Sequence, residues 1–302
     1  MKIAIIGLGN ICKKAYMPYI TSKENIELVL CTRNPQVLEE TKKKYRINEG
    51  YTNVDDLMDK NIKAAFVHTA TESHFEIIKK LLENNINVYV DKPLSYSYKE
   101  SEILSNLAKE KKLILMTGFN RRFAPMYSTL AKKEKPSILK VEKNRLFSPK
   151  DPKIVILDDF IHVLDTAKFL LKEKVKDIDV SYLKKEGLLY NILVTLKGEN
   201  STAIAIMNRD SGFNEEVVEY TFPGNKYIIK NLNNTHYYSN NEEQILTFND
   251  WDTILYRRGF EPIIDEFINC VRNNIEPSIT IEDALETHRL CEEILRQVAG
   301  DR

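Results

Sequence analysis

The sequence has few of the features that mark secreted, metal-binding or membrane proteins. Its 302 residues include four cysteines and one tryptophan, and no apolar run approaches the roughly eighteen residues that suggest a membrane helix. Cys12, Cys31, Cys270 and Cys291 lack CxxC spacing, which indicates reduced thiols in a cytoplasmic protein. Because no cysteine pair or histidine pair has ligand spacing, we expect no bound metal.

The chain also lacks an excess of charge, since 44 basic side chains are balanced by 44 acidic ones. That balance argues against nucleic acid or an anionic membrane as the main partner. The opening residues, MKIAIIGLGN, begin a strand pattern at once, without an apolar signal segment, so we expect no targeting segment. The sequence therefore points to a cytoplasmic protein whose main partner is neither nucleic acid nor a membrane.

The chain is long enough for two domains, and its two parts have different patterns. In residues 1–120, short apolar runs alternate with amphipathic stretches, which predicts an α/β Rossmann domain with a parallel sheet. The predicted strands are Lys2–Ile6, Ile26–Cys31, Ala64–His68, Asn87–Asp91 and Leu113–Thr117. The predicted helices are Ile11–Thr21, Pro35–Tyr45, Glu72–Asn84 and Tyr98–Glu110.

Residues 121–302 predict an α+β domain with a largely antiparallel open sheet. A helix over Leu157–Leu171 precedes the strands, and two helices, Phe260–Arg272 and Ile281–Val298, close the chain. The predicted strands are Lys174–Tyr182, Leu189–Leu196, Ser201–Met207, Glu216–Phe222 and Lys226–Lys230.

A glycine-rich segment, Gly7-Leu8-Gly9-Asn10-Ile11-Cys12, follows the first strand and opens a helix. This is the position at which a GxGxxG-like motif binds a dinucleotide. Gly7 permits a tight turn, and Gly9 lets the backbone approach the pyrophosphate. Cys12 replaces the third glycine, either as a small packing residue or as a thiol activated by the helix dipole.

The end of the second strand bears on the choice of cofactor. A carboxylate there binds the ribose hydroxyls of NAD, but this chain has Cys31-Thr32-Arg33-Asn34. Arg33 is placed to meet the 2′-phosphate of NADP(H); the alternative is a solvated loop charge. We expect NADP(H) to be favoured, with NAD(H) as the alternative cofactor.

Four further segments together resemble the glucose-fructose oxidoreductase, inositol dehydrogenase and MocA (Gfo/Idh/MocA) family. They are HTATESH at 68–74, VYVDKPL at 88–94, GFNRRFAP at 118–125 and DDFIHVLD at 158–165. The set is most similar to bacterial MviM-type oxidoreductases. The resemblance thins beyond residue 175, where an RRGF element at 257–260 and the closing helices still match.

The resemblance implies that Lys92, the lysine of a Glu-Lys-Pro motif, reaches cofactor and substrate, with Asp91 in place of the usual Glu. Its ammonium would stabilise negative charge on the reacting oxygen. The family also implies a cis bond before Pro93. Without the family, Lys92 could equally be a surface lysine at a strand end.

His162 and Asp158 are the other catalytic candidates, because residues four apart share a helix face. Histidine is the usual side chain for accepting and returning a proton, and Asp165 is a further partner for it. The alternatives are a structural His162 and an Asp158 or Asp159 that merely caps the turn.

The resemblance places His74 behind the cofactor loop and Asn120 near the nicotinamide. Arg121 and Arg122 are candidates for binding either an anionic substrate or a neighbouring carboxylate. The expected cofactor-binding residues are Gly7, Gly9, Asn10, Ile11, Thr32, Arg33, Thr69, His74, Lys92 and Asn120.

The sequence thus predicts an NAD(P)-dependent oxidoreductase that acts on the carbinol carbon of a sugar, cyclitol or related polyol-like compound. One alternative is a nucleotide-retaining glycosidase-like enzyme of the same family. The other is a non-catalytic sensor of NADP(H). Family analogy also implies a homo-oligomer, either a dimer or a tetramer.

Overall fold

The N-terminal part of the chain forms a six-stranded parallel sheet, seen in a computed structural model that describes residues 1–300. The strand order is β3-β2-β1-β4-β5-β6, the order of a dinucleotide-binding Rossmann sheet. The strands are β1 (Lys2–Ile6), β2 (Glu27–Cys31), β3 (Glu49–Tyr51), β4 (Ala64–Val67), β5 (Asn87–Val90) and β6 (Leu115–Thr117). The predicted fold class is confirmed for this domain.

Helices cover both faces of this sheet, and β4 is buried along its whole length. They are α1 (Met17–Ile20), α2 (Pro35–Tyr45), α3 (His74–Glu83) and α4 (Tyr98–Glu110). Where the sequence predicted one α-helix over 11–21, the structure has a π-helix (Cys12–Tyr16) before α1. The short strand β3 was not predicted, because its EGY sequence carries little apolar signal.

The second sheet has eight strands in the order β14-β13-β12-β11-β7-β10-β9-β8. All neighbouring pairs are antiparallel except β7 and β10, which run parallel. The strands are β7 (Ile138–Leu146), β8 (Asp177–Lys185), β9 (Leu188–Lys197), β10 (Thr202–Ser211), β11 (Glu215–Phe222), β12 (Asn225–Lys230), β13 (Asn234–Ser239) and β14 (Glu242–Thr247). A largely antiparallel second sheet was predicted, and this is confirmed.

Three strands of the second sheet, β7, β13 and β14, were not predicted. In β7 the inward positions include Lys143 and Arg145, so charge interrupts the apolar alternation that signals a strand. The hairpin of β13 and β14 is mostly polar, and every residue of β14 is exposed. The turn at 222–225 joins β11 to β12, with Gly224 at a φ of +73°.

The remaining α-helices lie after residue 120. They are α5 (Pro125–Ala131), α6 (Pro152–Ile154), α7 (Ile161–Leu171), α8 (Ile254–Arg257), α9 (Phe260–Asn273) and α10 (Ile281–Ala299). A π-helix over Val155–Phe160 runs directly into α7. Among residues 1–300, no helix combines the length and apolar character needed to cross a membrane.

The chain crosses between its two compact units more than once. One unit comprises Met1–Phe119 and Phe260–Glu286, and the other comprises Asn120–Gly259 and the residues from Thr287 onward. A break lies between Phe119 and Asn120, where the sequence suggested a boundary, but residues 260–286, which include α9, pack with the Rossmann unit. Phe267 of α9 packs at 5.0 Å between ring centroids against Phe66 of β4.

A buried ion pair lies within the second unit. Arg122 donates to both carboxylate oxygens of Asp165, at 2.8 and 2.5 Å, and Thr287 donates a third hydrogen bond at 3.0 Å. Asp165 and Thr287 are almost fully buried. Asp165 therefore binds Arg122 and Thr287, whereas the sequence had suggested it as a partner for His162.

We predict that Asp165→Asn destabilises the protein strongly, because Arg122 is left as a buried charge without its carboxylate. Breaking a buried pair in this way costs about 3–5 kcal/mol. Glu293→Gln, in the half-exposed Arg289–Glu293 pair, is the control and should change stability by about 1 kcal/mol or less. Urea unfolding of the parent and both variants measures the difference; equal losses in the two variants would contradict the prediction.

Candidate functional site

The glycine loop lies at the carboxyl end of β1. Gly7 has a φ of +90°, and a Cβ there would come within 2.7 Å of the backbone of His68 and Thr69. Any larger residue would therefore collide with the loop that follows β4. A Cβ on Gly9 would meet nothing within 4 Å, so its backbone is open to a ligand.

A cavity of about 370 Å³ lies beside this loop, within the Rossmann unit. Its size is in the range of roughly 300–1,000 Å³ that is usual for small-molecule and cofactor sites. Its lining comes from the loops after β1, β2, β3 and β4: Ile6, Gly7, Leu8, Gly9, Cys31, Thr32, Arg33, Val37, Thr52, Asn53, Val54, His68, Thr69 and Ala70. Arg33 is the only arginine or lysine in this lining, and the lining contains no aspartate or glutamate.

The cavity includes five of the residues expected to bind the cofactor: Gly7, Gly9, Thr32, Arg33 and Thr69. Asn10, Ile11, His74, Lys92 and Asn120 are outside its lining. His74 lies behind it, with its ring nitrogens 2.9 Å from the Pro93 carbonyl oxygen and 3.2 Å from the Thr69 carbonyl oxygen. Asn120 belongs to the second unit, where its amide donates to the Arg258 carbonyl oxygen at 2.7 Å.

Cys12 is a buried packing residue in the π-helix after the glycine loop. Burial, helped by the Asp91 charge, raises the pKa of its thiol to about 12. Because the thiolate is the reactive form of cysteine, this environment favours the packing interpretation of Cys12 over the activated thiol.

Lys92 follows β5 at the carboxyl edge of the parallel sheet, where open α/β sheets bind their ligands. Its backbone N–H donates to the Asp91 carboxylate at 2.9 Å. The Lys92–Pro93 peptide bond is cis. The Asp91 side chain, which is shorter than the usual Glu, thus accepts a hydrogen bond from the backbone at the end of its own strand.

His68 was not singled out from the sequence, although it stands in the quoted HTATESH segment. Its side chain is fully buried, its ring centroid lies 3.8 Å from that of Tyr16, and its Nδ1 is 4.0 Å from the Asp91 carboxylate. Neither ring nitrogen has a hydrogen-bond partner among the described residues. Burial, with a smaller contribution from His74, lowers the pKa of His68 to about 3, so the ring is neutral at physiological pH.

The second unit places Asp158 and His162 on one continuous helical segment. Most of α7 is buried, whereas His162, Asp158 and Asp159 are each partly exposed. The Ile161 N–H bonds to the Ile156 carbonyl, a π-helical spacing that is frequent at functional sites. These side chains are therefore accessible positions in an otherwise buried segment.

Asp159 does not cap a turn but is surrounded by three cations. Arg145 binds both of its oxygens, at 3.0 Å each, Arg209 binds at 2.8 Å, and Lys143 forms a short ion pair with it. Burial alone would raise the pKa of Asp159, but Arg145 and Lys143 lower it well below its usual range. We call Asp159, Lys143, Arg145 and Arg209 the cationic cluster.

Arg121 pairs with a neighbouring carboxylate, one of the two interpretations left open by the sequence. It donates to both oxygens of Glu216, at 2.6 and 2.8 Å. Burial opposes ionisation of Glu216, but the Arg121 charge lowers its pKa to about 2. Since Arg122 likewise binds Asp165, each of these arginines already has a protein anion.

Within residues 1–300, no three metal-binding side chains are grouped closely enough to hold an ion. The glycine loop, the strand order and the adjoining cavity instead define a dinucleotide-binding protein of the Rossmann class. Residues 1–119 match the model of the oxidoreductase family with an NAD-binding Rossmann fold, and residues 125–240 match the YceM-like C-terminal domain. The chain belongs to the Gfo/Idh/MocA family of oxidoreductases.

Similarity to family members extends over the full chain. A Salmonella typhimurium protein named as an oxidoreductase, YceM, is 31% identical, with 100% of this chain and 99% of that protein covered. The crystal structure of the dehydrogenase MviM from Clostridium difficile is 36% identical, with a TM-score of 0.94 and coverage of 98% and 99%. The myo-inositol 2-dehydrogenase of Thermotoga maritima is 26% identical over 70% of this chain and 66% of that protein.

We predict that His68 makes the protein less stable as the pH falls. An unfolded histidine takes up a proton near pH 6.5, whereas folded His68 does so near pH 3. The unfolded state therefore binds more protons between these values, and stability is lost as the pH falls through 6.5, by about 2 kcal/mol between pH 7 and 5.

His68→Leu and His68→Asn remove this titration, one with an apolar and one with a polar side chain. Between pH 7 and 5, the free energy of unfolding of both variants should fall by about 2 kcal/mol less than that of the parent, as measured by urea unfolding. If the parent and both variants show the same pH dependence, His68 is not a neutral buried histidine.

Proposed function

We propose that the protein transfers a hydride between a bound nicotinamide dinucleotide and a carbinol carbon of a sugar, cyclitol or related polyol-like compound. The observation that carries the proposal is the glycine-lined cavity at the carboxyl edge of the Rossmann sheet, with Lys92 at the end of β5 on the same edge. The name of the Thermotoga maritima relative, an inositol dehydrogenase, supports the substrate class.

The fit of a dinucleotide to this cavity is supported by the backbone around it. Gly7 allows the loops after β1 and β4 to approach closely, and the open side of Gly9 leaves room for a pyrophosphate. When bound, the nicotinamide supplies the hydride acceptor in oxidation and the hydride donor in reduction.

The protein's own residues would handle the oxygen and the proton. In oxidation the carbinol C–H bond breaks with loss of hydride, the O–H bond breaks, and a C=O double bond forms. Lys92 would stabilise the negative charge that develops on the oxygen. His162 would accept the hydroxyl proton and return it in reduction, while Asp158 would orient the His162 ring.

NADP(H) is the favoured cofactor in this proposal. The cavity lining has no carboxylate to bind the ribose 2′-hydroxyl, and Arg33, after β2, is exposed at the position where a 2′-phosphate is recognised. A guanidinium binds phosphate through paired hydrogen bonds.

We predict that Arg33→Ala raises the Kd for NADP(H) by about tenfold or more, because one charge-assisted contact contributes on the order of 1.5–3 kcal/mol. The Kd for NAD(H), which lacks the extra phosphate, should change little. Arg272→Ala, on an exposed arginine of α9, is the matched control and should leave both constants unchanged. Cofactor titrations followed by fluorescence or calorimetry measure them. Equal affinity of the parent for the two cofactors would rule out the preference.

We predict that Lys92→Ala lowers kcat by about 10²-fold or more, while the protein still folds and its cofactor affinity changes by no more than about tenfold, since Lys92 acts mainly on the reacting oxygen. Lys92→Arg should also lower kcat strongly, because a planar guanidinium does not replace a compact ammonium at one oxygen. Lys99→Ala, on an exposed lysine of α4, is the control. Near-parental turnover of either Lys92 variant would show that Lys92 is a surface lysine with no role in the reaction.

The proposed reaction is tested by incubating the protein with sugars, sugar acids and cyclitols and both cofactors. A change in nicotinamide absorbance that depends on the compound supports it. Release of a sugar without net absorbance change would indicate the glycosidase-like alternative. Cofactor binding without turnover of any compound would indicate the sensor.

We also propose a cytoplasmic homo-oligomer. The four cysteines are free and buried, which supports a reducing compartment. Helix α7 covers one face of the second sheet, while Ile204, Ile206 and Leu193 on the opposite face are half-exposed to exposed. An apolar face of this kind is suited to pairing with a second copy, and light scattering of the purified protein measures the oligomer.

A further inference from the structure

The cationic cluster of the second unit carries more positive charge than its own carboxylates balance. With Arg121 and Glu216 included, four cations face two carboxylates, Asp159 and Glu216. In the Arg122–Asp165 pair, by contrast, one guanidinium binds both oxygens of one carboxylate. Three of these cations, Lys143, Arg209 and Arg121, have side chains that are at most 11% exposed. Buried charges are normally paired, so the excess of positive charge here indicates that an anion belongs in the cluster.

Lys143 gives the second, independent indication. Its side chain is 5% exposed, and an ammonium has three N–H donors. Among the described residues, Asp159 is the one acceptor that bonds to it. Burial and the nearby Arg121 charge lower the pKa of Lys143 to about 8, against the opposing effect of Asp159. A buried ammonium with spare donors is a site that an added oxyanion would stabilise.

The cluster is open on one side. The Arg145 side chain is 37% exposed and that of Asp159 is 18% exposed, whereas Arg209 is held from behind by two hydrogen bonds to Ser148. Arg145 uses its Nε and one Nη on Asp159, which leaves its other Nη for a ligand.

Two apolar side chains lie on the loops beside the cluster. Phe147 follows β7 and is 70% exposed, and Phe213 follows β10 and is 63% exposed. The Phe147 N–H bonds to the Ser211 carbonyl oxygen and ties these loops together. Exposed apolar surface next to fixed cations suits an organic anion better than an inorganic one.

The cluster also adjoins the candidate proton-transfer residues, because Asp159 follows Asp158 and precedes His162 by three positions in the same helical segment. We propose that Arg145 and Lys143 bind a carboxylate or phosphate group of the substrate, so that the substrate is an acidic or phosphorylated sugar or cyclitol. This inference rests on the proposed function for the reaction, but the anion site itself can be tested by binding alone.

The test uses the full chain with its cofactor and three probes that differ in charge: D-glucose, D-glucuronate and D-glucose 6-phosphate. Calorimetry measures binding, and nicotinamide absorbance measures turnover. We expect one of the anionic probes to bind at least tenfold more tightly than glucose. The two anionic probes distinguish a carboxylate from a phosphate ester as the recognised group.

Arg145→Gln is the main variant, because Arg145 is partly exposed and Asp159 keeps Lys143 and Arg209 when it is lost. It should weaken binding of the anionic probe at least tenfold and leave the affinity for glucose unchanged. Arg145→Lys keeps the charge, so its affinity for the anionic probe should lie between those of the parent and Arg145→Gln. Arg296→Gln, on a 67% exposed arginine of α10, is the control and should bind as the parent does.

Binding and turnover together separate this inference from the proposed function. Anion binding that Arg145→Gln weakens, with no oxidation of any probe, supports the anion site and counts against hydride transfer to these compounds. Oxidation of glucose as efficiently as of the anionic probes, unchanged in Arg145→Gln, overturns the anion site and supports the proposed reaction. Equal binding of all three probes by the parent also overturns it.

Discussion

The parallel register of β1, β4 and β5 is the constraint on which the candidate cofactor site depends. Backbone hydrogen bonds run from the His68 N–H to Ile6 and from the Asp91 N–H to Val67. They align the ends of three strands, so the glycine loop, Thr69 and Lys92 all emerge at one edge of the sheet. Because parallel strands need crossover connections, the helices between them leave this edge free for a ligand.

The same register explains the environment of His68. Side chains alternate across a strand, so Phe66 and His68 point to the same face, where they pack with Tyr16 and Tyr89. Tyr16 and Tyr89 satisfy each other through a 2.8 Å hydrogen bond. His68 has no such partner among the described residues, and its position beside Asp91 makes it a polar exception in an aromatic layer behind the cofactor loop.

The second unit uses arginine and carboxylate in two different ways. At Arg122 and Asp165 the guanidinium binds both carboxylate oxygens, and both side chains are buried. At Asp159 one carboxylate is shared by three cations, and the cluster reaches the surface through Arg145. The first arrangement is a buried bidentate pair, whereas the second has more positive than negative charge and is open to solvent, so we propose only the second as a binding site.

The sequence by itself determined the features that depend on neighbouring residues. Apolar runs, helix periodicity and the Gly7–Gly9 loop are local patterns, and they predicted both sheets and the cofactor edge. Tertiary structure decided what depends on residues far apart in the chain. Arg121 and Glu216 are 95 residues apart, and Arg122 and Asp165 are 43 apart, so no spacing rule could assign these partners. Strand β7 was missed because charged Lys143 and Arg145 stand where an apolar alternation would continue, and the buried Lys143 charge is met by Asp159 of another element.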